Sequence, residues 1–155
     1  MPPQLLRDLN HVDLTKVLVP RAGIEKIIPQ RFEMAMLDAI VIDDHDLIIG
    51  YKDVTLDDFW VRGHIPGRPI MPGVMMIECA AQLCAFFTMR RRPEMGFMGF
   101  AKCEHTRFRG VVVPPNRLYM VAKMTELTHR RAVGDCQGFC NGAMVFESTI
   151  TGMPV

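Results

Sequence analysis

The sequence lacks a surplus of charge of either sign. Its 18 Lys and Arg residues nearly balance its 17 Asp and Glu residues, which leaves a formal net charge of +1. Nucleic-acid-binding domains usually carry a basic surplus, which this chain lacks. Disordered chains combine high net charge with low hydrophobicity, whereas 49% of these residues are hydrophobic. The 155 residues therefore predict one globular domain with a real core and no nucleic-acid partner.

The sequence also lacks cysteine pairs with the close spacing of zinc ligands. Its five cysteines lie in apolar segments and form no C-x-x-C motif: Cys79, Cys84, Cys103, Cys136 and Cys140. An odd number of such cysteines is typical of reduced thiols that are buried as small hydrophobic side chains. We therefore expect no disulfide, no metal ion and no other cofactor.

The first 20 residues contain no apolar run of signal-peptide length, so we expect a cytoplasmic protein. One apolar stretch, residues 69–89, approaches the length of a membrane span. It begins with two prolines and contains Glu78 and Gln82. These features favour a buried central helix over a membrane span.

That stretch contains the one long helix that the sequence predicts, from Pro72 to Arg90. A helix that is apolar on every side is enclosed by the rest of the protein. Pro72 suits the first helical turn, and Pro93 ends the helical pattern. Arg90, Arg91 and Arg92 are interpreted as a solvated helix end, with docking of an acidic partner as the alternative.

Strands are predicted on both sides of the helix. Residues 36–42 and 47–54 are expected to form a hairpin across a polar loop. Four more strands are predicted after the helix, at 97–105, 118–127, 131–140 and 143–151, the last two joined by an Asn-Gly turn. An antiparallel sheet wrapped around one long central helix, an α+β fold, accommodates this order. Residues 1–21 are expected to form an N-terminal extension with a short helix at 5–9, and residues 22–155 the domain.

Groups suited to acid–base chemistry cluster at the start of the helix. His64 lies in a loop shaped by prolines and glycines, and Gly73 lets a ligand oxygen approach an unpaired helix N–H. Glu78 lies inside the apolar helix, with Gln82 one turn further along the same face. Histidine is the usual base, and a buried carboxyl group tends to hold its proton. This set suits loss of a β-hydroxyl group beside a carbonyl, or the reverse hydration, although structural roles for His64 and Glu78 remain alternatives.

The segment GHIPGRPIMPGVMMIECAAQ, residues 63–82, resembles the signature of the 3-hydroxyacyl-[acyl-carrier-protein] dehydratases of fatty acid biosynthesis, a hotdog-fold family. The family pattern matches at ten positions, and the one departure is Ile65 in place of Phe. The matches are Gly63, His64, Pro66, Gly67, Pro69, Pro72, Gly73, Val74, Glu78 and Gln82. A weaker similarity extends over residues 22–152.

The resemblance implies a hotdog fold and a hydro-lyase that forms trans-2-enoyl thioesters from substrates linked to a carrier protein or to CoA. It implies homodimers, in some members trimers of dimers, in which His64 of one subunit faces Glu78 of the other. His64 is then the base, Glu78 the acid, and the Gly73 N–H the group that binds the thioester oxygen, with Gln82 as a second substrate-binding residue.

Some residues depart from the family pattern outside the signature. Gln30, Glu33 and Ala39 stand where the family usually has His, Pro and Arg. Two alternatives to a dehydratase therefore stay open at this point: a hotdog acyl thioesterase, and a non-catalytic acyl-thioester-binding paralogue.

Overall fold

Seven strands and one long helix make up most of the computed structural model, which describes residues 1–155. The strands are β1 (Val19–Pro20), β2 (Ala39–Asp43), β3 (Leu47–Val54), β4 (Met98–Phe108), β5 (Asn116–Leu127), β6 (Ala132–Cys140) and β7 (Ala143–Pro154). The helices are α1 (Arg21–Glu25) and α2 (Gly73–Arg91), with 3₁₀ turns at Leu9–His11, Phe32–Met34 and Pro93–Met95. The strands form one antiparallel sheet in the order β1-β2-β3-β5-β6-β7-β4, so the predicted α+β architecture is confirmed.

Helix α2 packs against one face of the sheet, where its apolar residues meet the strands. Leu83, Phe86 and Phe87 are at most 2% exposed and belong to one core cluster with Phe146 of β7. Burying each such side chain stabilises the fold by about 1.5–3 kcal/mol. The enclosed helix expected from the sequence is therefore confirmed.

The start of α2 differs by one residue from the prediction. Pro72 is the N-cap, with φ −59° and ψ 131°, and Gly73 is the first helical residue. The Pro72 carbonyl already accepts a hydrogen bond from the Met75 N–H at 3.0 Å. Pro72 therefore ends the loop before the helix instead of occupying the first turn.

The two predicted hairpins are present. Asn141 (φ 52°) and Gly142 (φ 76°) join β6 to β7 in the left-handed conformation that a tight Asn-Gly turn needs. The other hairpin joins β2 to β3, but β2 begins at Ala39 and not at Met36. The reason is that the Met36 N–H donates to the side chain of Gln82 instead of to a neighbouring strand.

The N-terminal residues cover the face of the sheet that points away from α2. That face carries a second apolar cluster, formed by Ala39, Val41, Leu47, Ile49, Tyr51, Val121 and Phe139. Leu6, Leu9, Val12 and Leu14 pack against this cluster, and we call residues 1–18 the N-terminal arm. The buried Gln137 side chain fixes the arm, because it accepts from the Leu6 N–H and donates to the Gln4 carbonyl.

Three local predictions were wrong. The short helix expected at 5–9 is a 3₁₀ turn at Leu9–His11. Cys103 is exposed on β4, whereas the other four cysteines are buried. The arginines at the end of α2 are not simply solvated: Arg90 and Arg91 both bind the carboxylate of Asp43 and so tie the helix to β2.

Strand β4 forms one edge of the sheet and is unusually exposed. It pairs only with β7, and residues 100–105 are all exposed. Phe100 and Phe108, near its two ends, are 52% and 51% exposed. Long unpaired edges with exposed apolar residues commonly pair with another chain.

On length and composition alone, Gly73–Arg91 qualifies as a helix that could cross a membrane. Half of its most apolar 18-residue window is buried inside the protein, as expected for the central helix of this fold. This evidence for a membrane span is weak, because core helices pass the same test.

Candidate active site

The His64 loop fixes one nitrogen of the imidazole and leaves the other free. The His64 N–H donates to the carbonyl of Trp60 at 2.8 Å, and the Trp60 side chain is buried. The His64 ring nitrogen Nδ1 lies 2.7 Å from the Ile70 carbonyl oxygen. Because a carbonyl can only accept, the neutral ring carries its proton on Nδ1 and keeps a lone pair on Nε2. The exposed ring can therefore act as a base through Nε2.

Gly73 lies at the end of the same loop, and its N–H has no acceptor within the helix because it is the first helical residue. His64 and Gly73 line a common cavity of about 330 Å³, together with Ile70, Met71, Val74, Met76, Phe108, Gly110 and Val111. A Cβ at position 73 would lie 2.9 Å from the Phe108 ring. The Phe108 ring therefore packs directly on the backbone at the start of α2.

Glu78 and Gln82 are paired, as their spacing predicts. The Gln82 Nε2 donates to the Glu78 carboxylate at 2.7 Å and to the Met34 carbonyl at 2.6 Å. The Gln82 Oε1 accepts from the Met36 N–H at 2.9 Å. Gln82 is 1% exposed, so the segment before β2 and the acid side chain are held by one buried amide.

Glu78 fronts a different cavity from His64. This second cavity, which we call the α2 groove, has a volume of about 90 Å³. Its lining includes Gln30, Gln82, Thr88, Phe97, Met98 and Phe100. Ligand cavities usually measure about 300–1,000 Å³, so the groove as formed by one chain is too small to be a complete site.

Within one chain the predicted residues thus form two half-sites. His64 and Gly73 line the first cavity, and Glu78 and Gln82 line the second. No group of three or more His, Cys, Asp or Glu side chains is placed to hold a metal ion. The first half-site offers a base and a polarising N–H, and the second offers a carboxyl group.

Two contributors to these half-sites were not predicted as site residues. Phe108 reaches Gly73 from the far end of β4, 35 positions along the chain. The Ile70 carbonyl, which selects the tautomer of His64, is a backbone group with no side-chain signature. Nothing in the sequence around Phe108 indicated which way its ring points.

Comparison with known proteins supports the signature. Residues 28–149 match the FabA-like domain family. A 3-hydroxyacyl-[acyl-carrier-protein] dehydratase FabZ of Alkaliphilus metalliredigens is 38% identical over 117 residues, which cover 74% of this chain and 78% of that protein. The FabZ dehydratase of Rhizobium etli is 32% identical, with 95% and 92% of the two chains covered.

Solved structures with much lower identity share the fold. The dehydratase heterocomplex ApeI:P of Xenorhabdus doucetiae superposes with a TM-score of 0.74 at 12% identity, over 85% of this chain and 90% of that chain. The PaaI protein of the phenylacetic acid degradation operon of E. coli gives a TM-score of 0.59 at 14% identity, over 74% and 80%. The match to the domain family covers most of the chain, and the dehydratase relatives exceed 30% identity. This chain therefore belongs to the FabA-like family, on the branch that contains the 3-hydroxyacyl-[acyl-carrier-protein] dehydratases.

Proposed function

We propose that this protein is a hydro-lyase that dehydrates 3-hydroxyacyl thioesters, linked to acyl carrier protein, to trans-2-enoyl thioesters in fatty acid biosynthesis. The observation that carries the proposal is that His64 presents a free Nε2 in the same cavity as the Gly73 N–H. A base beside a carbonyl-polarising donor is what removal of a proton next to a thioester requires. The FabZ dehydratases to which the chain is similar act on 3-hydroxyacyl-[acyl-carrier-protein].

The proposed mechanism assigns one step to each group. The Gly73 N–H donates to the thioester oxygen and stabilises the negative charge that develops there. The His64 Nε2 takes the proton from C2, and Glu78 gives a proton to the hydroxyl group leaving C3. The C2–H and C3–O bonds break, the C2–C3 double bond forms, and water leaves. Gln82 acts as a positioning residue, because its amide holds the Glu78 carboxyl group.

The acid and the base come from two copies of the chain in this proposal. His64 and Glu78 front separate cavities within one chain, and the α2 groove alone is small. Strand β4 connects the two half-sites, since Phe100 lines the α2 groove and Phe108 lines the His64 cavity. These residues are eight positions apart, about 27 Å along a strand.

Pairing of β4 with its own copy would join the half-sites. In an antiparallel pair centred near Glu104, Phe100 of one protomer lies opposite the partner's Phe108. The Glu78 cavity of one chain then adjoins the His64 cavity of the other, twice per dimer. The free outer edge of β4, which pairs only with β7, and its two exposed phenylalanines support this arrangement.

Co-expression of His64→Ala and Glu78→Gln chains tests both the residue roles and the shared site. Each variant alone should lose about 10²–10⁴-fold in kcat with a 3-hydroxyacyl thioester. In a mixed dimer, one site carries both substitutions and the other carries neither. Random pairing makes about half of the dimers mixed, so the mixture should regain about a quarter of the wild-type activity.

As the control, each variant is co-expressed with a second, differently tagged copy of itself. These dimers should regain no dehydratase activity. No recovery in the mixed dimers would contradict the two-copy site. Full activity of either single variant would contradict its assigned role. Release of free thiol instead of an enoyl product would favour a thioesterase, which neither the relatives nor the base at His64 favours.

We further propose that the carrier protein binds beside the His64 loop. Arg62 and Arg68 are exposed on this loop, and neither takes part in an ion pair. Acidic carrier proteins are steered by such basic side chains. Arg62→Glu/Arg68→Glu should therefore raise KM for the carrier-linked substrate about tenfold and leave KM for the CoA-linked substrate unchanged. Equal changes in both KM values would contradict this docking position.

Assembly and location remain predictions. A dimer has twice the chain mass of 17.6 kDa, and a trimer of dimers has six times that mass. Sedimentation equilibrium distinguishes these states, and a monomer at catalytic concentrations would contradict the shared site. Cytoplasmic location is expected from the fatty acid biosynthesis role, and fractionation of cells tests it.

A further inference from the structure

Three successive turns lead from the end of β3 to His64. In the first turn the Asp58 N–H donates to the Thr55 carbonyl at 3.2 Å, and in the second the Val61 N–H donates to the Asp58 carbonyl at 3.1 Å. In the third turn the His64 N–H donates to the Trp60 carbonyl. Because consecutive turns share residues, the backbone position of His64 depends on the position of Asp58.

A buried ion pair connects the first of these turns to the sheet. The Asp58 carboxylate accepts from the Lys52 Nζ at 2.9 Å through Oδ1, and from the Thr55 N–H at 2.9 Å through Oδ2. The Lys52 and Asp58 side chains are 7% and 15% exposed, and Lys52 is the only buried residue of the chain with a charged side chain. One oxygen of Asp58 is thus used on β3 and the other on the turn.

This ion pair is the only polar contact between the turns and the rest of the protein. Every other hydrogen bond of residues 55–63 joins two residues within 55–64. The remaining attachment is apolar packing, mainly of the Trp60 side chain, which is 4% exposed in the core. Apolar packing is non-directional, whereas a hydrogen-bonded ion pair requires a defined distance and angle. The ion pair therefore fixes where the turns lie relative to β3.

Stability alone does not explain a buried ion pair at this position. Both charges lose hydration, and an apolar pair of similar volume is often equally stable or more stable. The advantage that such pairs can offer instead is a single, defined arrangement of the chain. The segment that Lys52 and Asp58 arrange here is the one that ends at the candidate base.

We propose that the Lys52–Asp58 ion pair positions His64 for proton transfer, acting through the turns that join Asp58 to His64. The two residues are positioning residues, because they line a different cavity from the one that His64 shares with Gly73. This inference rests on the proposed function, since it takes the His64 Nε2 as the base. Without the ion pair, the loop shifts, Nε2 moves away from C2 of the substrate, and Nδ1 loses the Ile70 carbonyl.

The double variant Lys52→Met/Asp58→Leu tests the proposal, because it removes both charges and nearly keeps the side-chain volumes. Its urea midpoint should stay near wild type, since no charge is left unpaired and Thr55 is exposed to water. Its kcat with a 3-hydroxyacyl thioester should fall about 10²-fold, as expected when a reacting group is displaced by about 1 Å. KM should change by less than about threefold, because the loss falls on the transition state. A merely structural ion pair would leave kcat unchanged.

The single variant Lys52→Met gives the same test without altering Asp58. The Asp58 carboxylate keeps its bond to the Thr55 N–H and lines a cavity of about 270 Å³, which has room for water. If the double variant does not fold, this variant decides by the same measurements. Its kcat should fall about tenfold or more, again with KM little changed.

The tautomer of His64 reports the position of the ring independently of turnover. Nitrogen NMR spectra of protein with isotopically labelled histidine are recorded at about pH 8.5, where imidazole rings are neutral. Wild type should show His64 with the proton on Nδ1, because the Ile70 carbonyl accepts it. In both variants a form with the proton on Nε2 should appear, since that bond no longer selects the tautomer. The spectrum of His64→Ala assigns the signal.

The matched control is Arg117→Met/Asp53→Leu. It removes another ion pair of β3, at the position next to Lys52, where side chains point to the opposite face of the sheet. This variant should keep the wild-type kcat and the wild-type His64 spectrum. An equal loss of kcat in the control would overturn the inference, because the effect would then not belong to the Lys52–Asp58 pair.

The outcomes separate the inference from the proposed function. Unchanged kcat and an unchanged His64 tautomer in a folded variant would overturn the inference and leave the dehydratase function standing. A lower kcat with an unchanged tautomer would also overturn it, because His64 would not have moved. If wild-type protein dehydrates no 3-hydroxyacyl thioester, the proposed function fails, and the spectra alone decide whether the ion pair positions His64.

Discussion

At the scale of single residues, Gln82 connects the candidate acid to the fold. Its amide binds the Glu78 carboxylate, the Met34 carbonyl and the Met36 N–H. These contacts use both ends of one buried side chain. The orientation of Glu78 therefore depends on the segment that leads into β2.

We predict that Gln82→Ala lowers both stability and activity. The Met36 N–H and the Met34 carbonyl would lose their partner in a buried position, which should lower the free energy of unfolding by about 2–4 kcal/mol. Turnover should fall about tenfold, because the Glu78 carboxyl group is no longer held. Urea denaturation and steady-state kinetics measure the two effects. Gln4→Ala, at an exposed position, is the control, and equal behaviour of the two variants would contradict the role of Gln82.

We also predict a loss of stability at alkaline pH that depends on Cys79. Complete burial raises the pKa of the Cys79 thiol from 9.0 to about 12. Between these values the unfolded chain releases a proton that the folded chain keeps. The contribution of the thiol to stability is therefore complete below about pH 8.5 and is lost as the pH rises toward the folded pKa, by about 1.4 kcal/mol per pH unit.

The variant Cys79→Ala isolates this effect. Urea unfolding of the variant at several pH values between about 8 and 11 should show a shallower fall with pH than wild type. Cys103→Ala should keep the wild-type slope, because Cys103 is exposed. The slope is the relevant readout, since the cavity in Cys79→Ala lowers stability at every pH. Parallel slopes for all three proteins would contradict the prediction.

The residues of the candidate site differ in how far the sequence could point to them. His64 and Glu78 could be singled out because a titratable side chain is costly in an apolar, proline-rich stretch. Gln82 could be singled out because it follows Glu78 by one helical turn. Phe108 was not identifiable, since its contact with Gly73 is made by the return of β4 past the start of α2. The ion pair of Lys52 with Asp58 depends on how the chain after β3 folds back, which no local pattern encodes.

At the scale of elements, the start of α2 combines an unpaired N–H with a close aromatic ring. With the Phe108 ring in its present position, only glycine fits at position 73, because a Cβ there would clash with the ring. The ring is half exposed and packs on Phe146, with the ring centroids 5.8 Å apart. It can therefore move if a larger residue is placed at position 73, but the approach to the N–H would be obstructed.

We predict that Gly73→Ala folds and loses activity. Alanine favours the helix over glycine, which offsets the displacement of the ring and keeps stability near wild type. The methyl group obstructs the proposed thioester site, so kcat should fall about 10²-fold, as for loss of one such donor. Gly23→Ala is the control, because its Cβ would meet Val19 at 2.7 Å far from the site. An active Gly73→Ala protein would contradict the role of the N–H.

The elements were predictable where a strong local signal existed. The long apolar run and Pro93 defined α2, and Asn141-Gly142 defined the β6–β7 turn. The limits of β2 were not predictable, because a side chain of α2 takes the hydrogen bond that would have extended the strand to Met36. The ion pairs of Arg90 and Arg91 with Asp43 also depend on where β2 ends relative to α2.

At the scale of the whole molecule, the sheet is covered on both faces. Helix α2 packs on one face and the N-terminal arm on the other. The alternation of side chains along a strand explains how both faces are apolar: Ile48 points to α2, while Leu47 and Ile49 point to the arm. The arm therefore forms a third layer, which the sequence did not indicate because its leucines show no regular period.

We predict that the N-terminal arm contributes to stability and not to catalysis. Deletion of residues 1–18 should lower the free energy of unfolding by about 3–6 kcal/mol, since it exposes the second apolar cluster. A finer comparison is Leu6→Ala, which should cost about 1–2 kcal/mol, against the exposed Leu5→Ala, which should change stability by less than about 0.5 kcal/mol. Urea denaturation measures each variant. An unchanged midpoint for the deletion would contradict the prediction.

Strand β4 has a consequence for how such a protein can diverge. Each copy of the strand supplies a wall residue to both catalytic centres, Phe100 to one and Phe108 to the other, under the proposed pairing. A mutation that shifts the register of the strand would change both ends of every substrate channel together. Selection for a new acyl group would therefore act more readily on the helix side of the α2 groove, at positions such as Ala81 and Ala85, where one replacement alters one wall only.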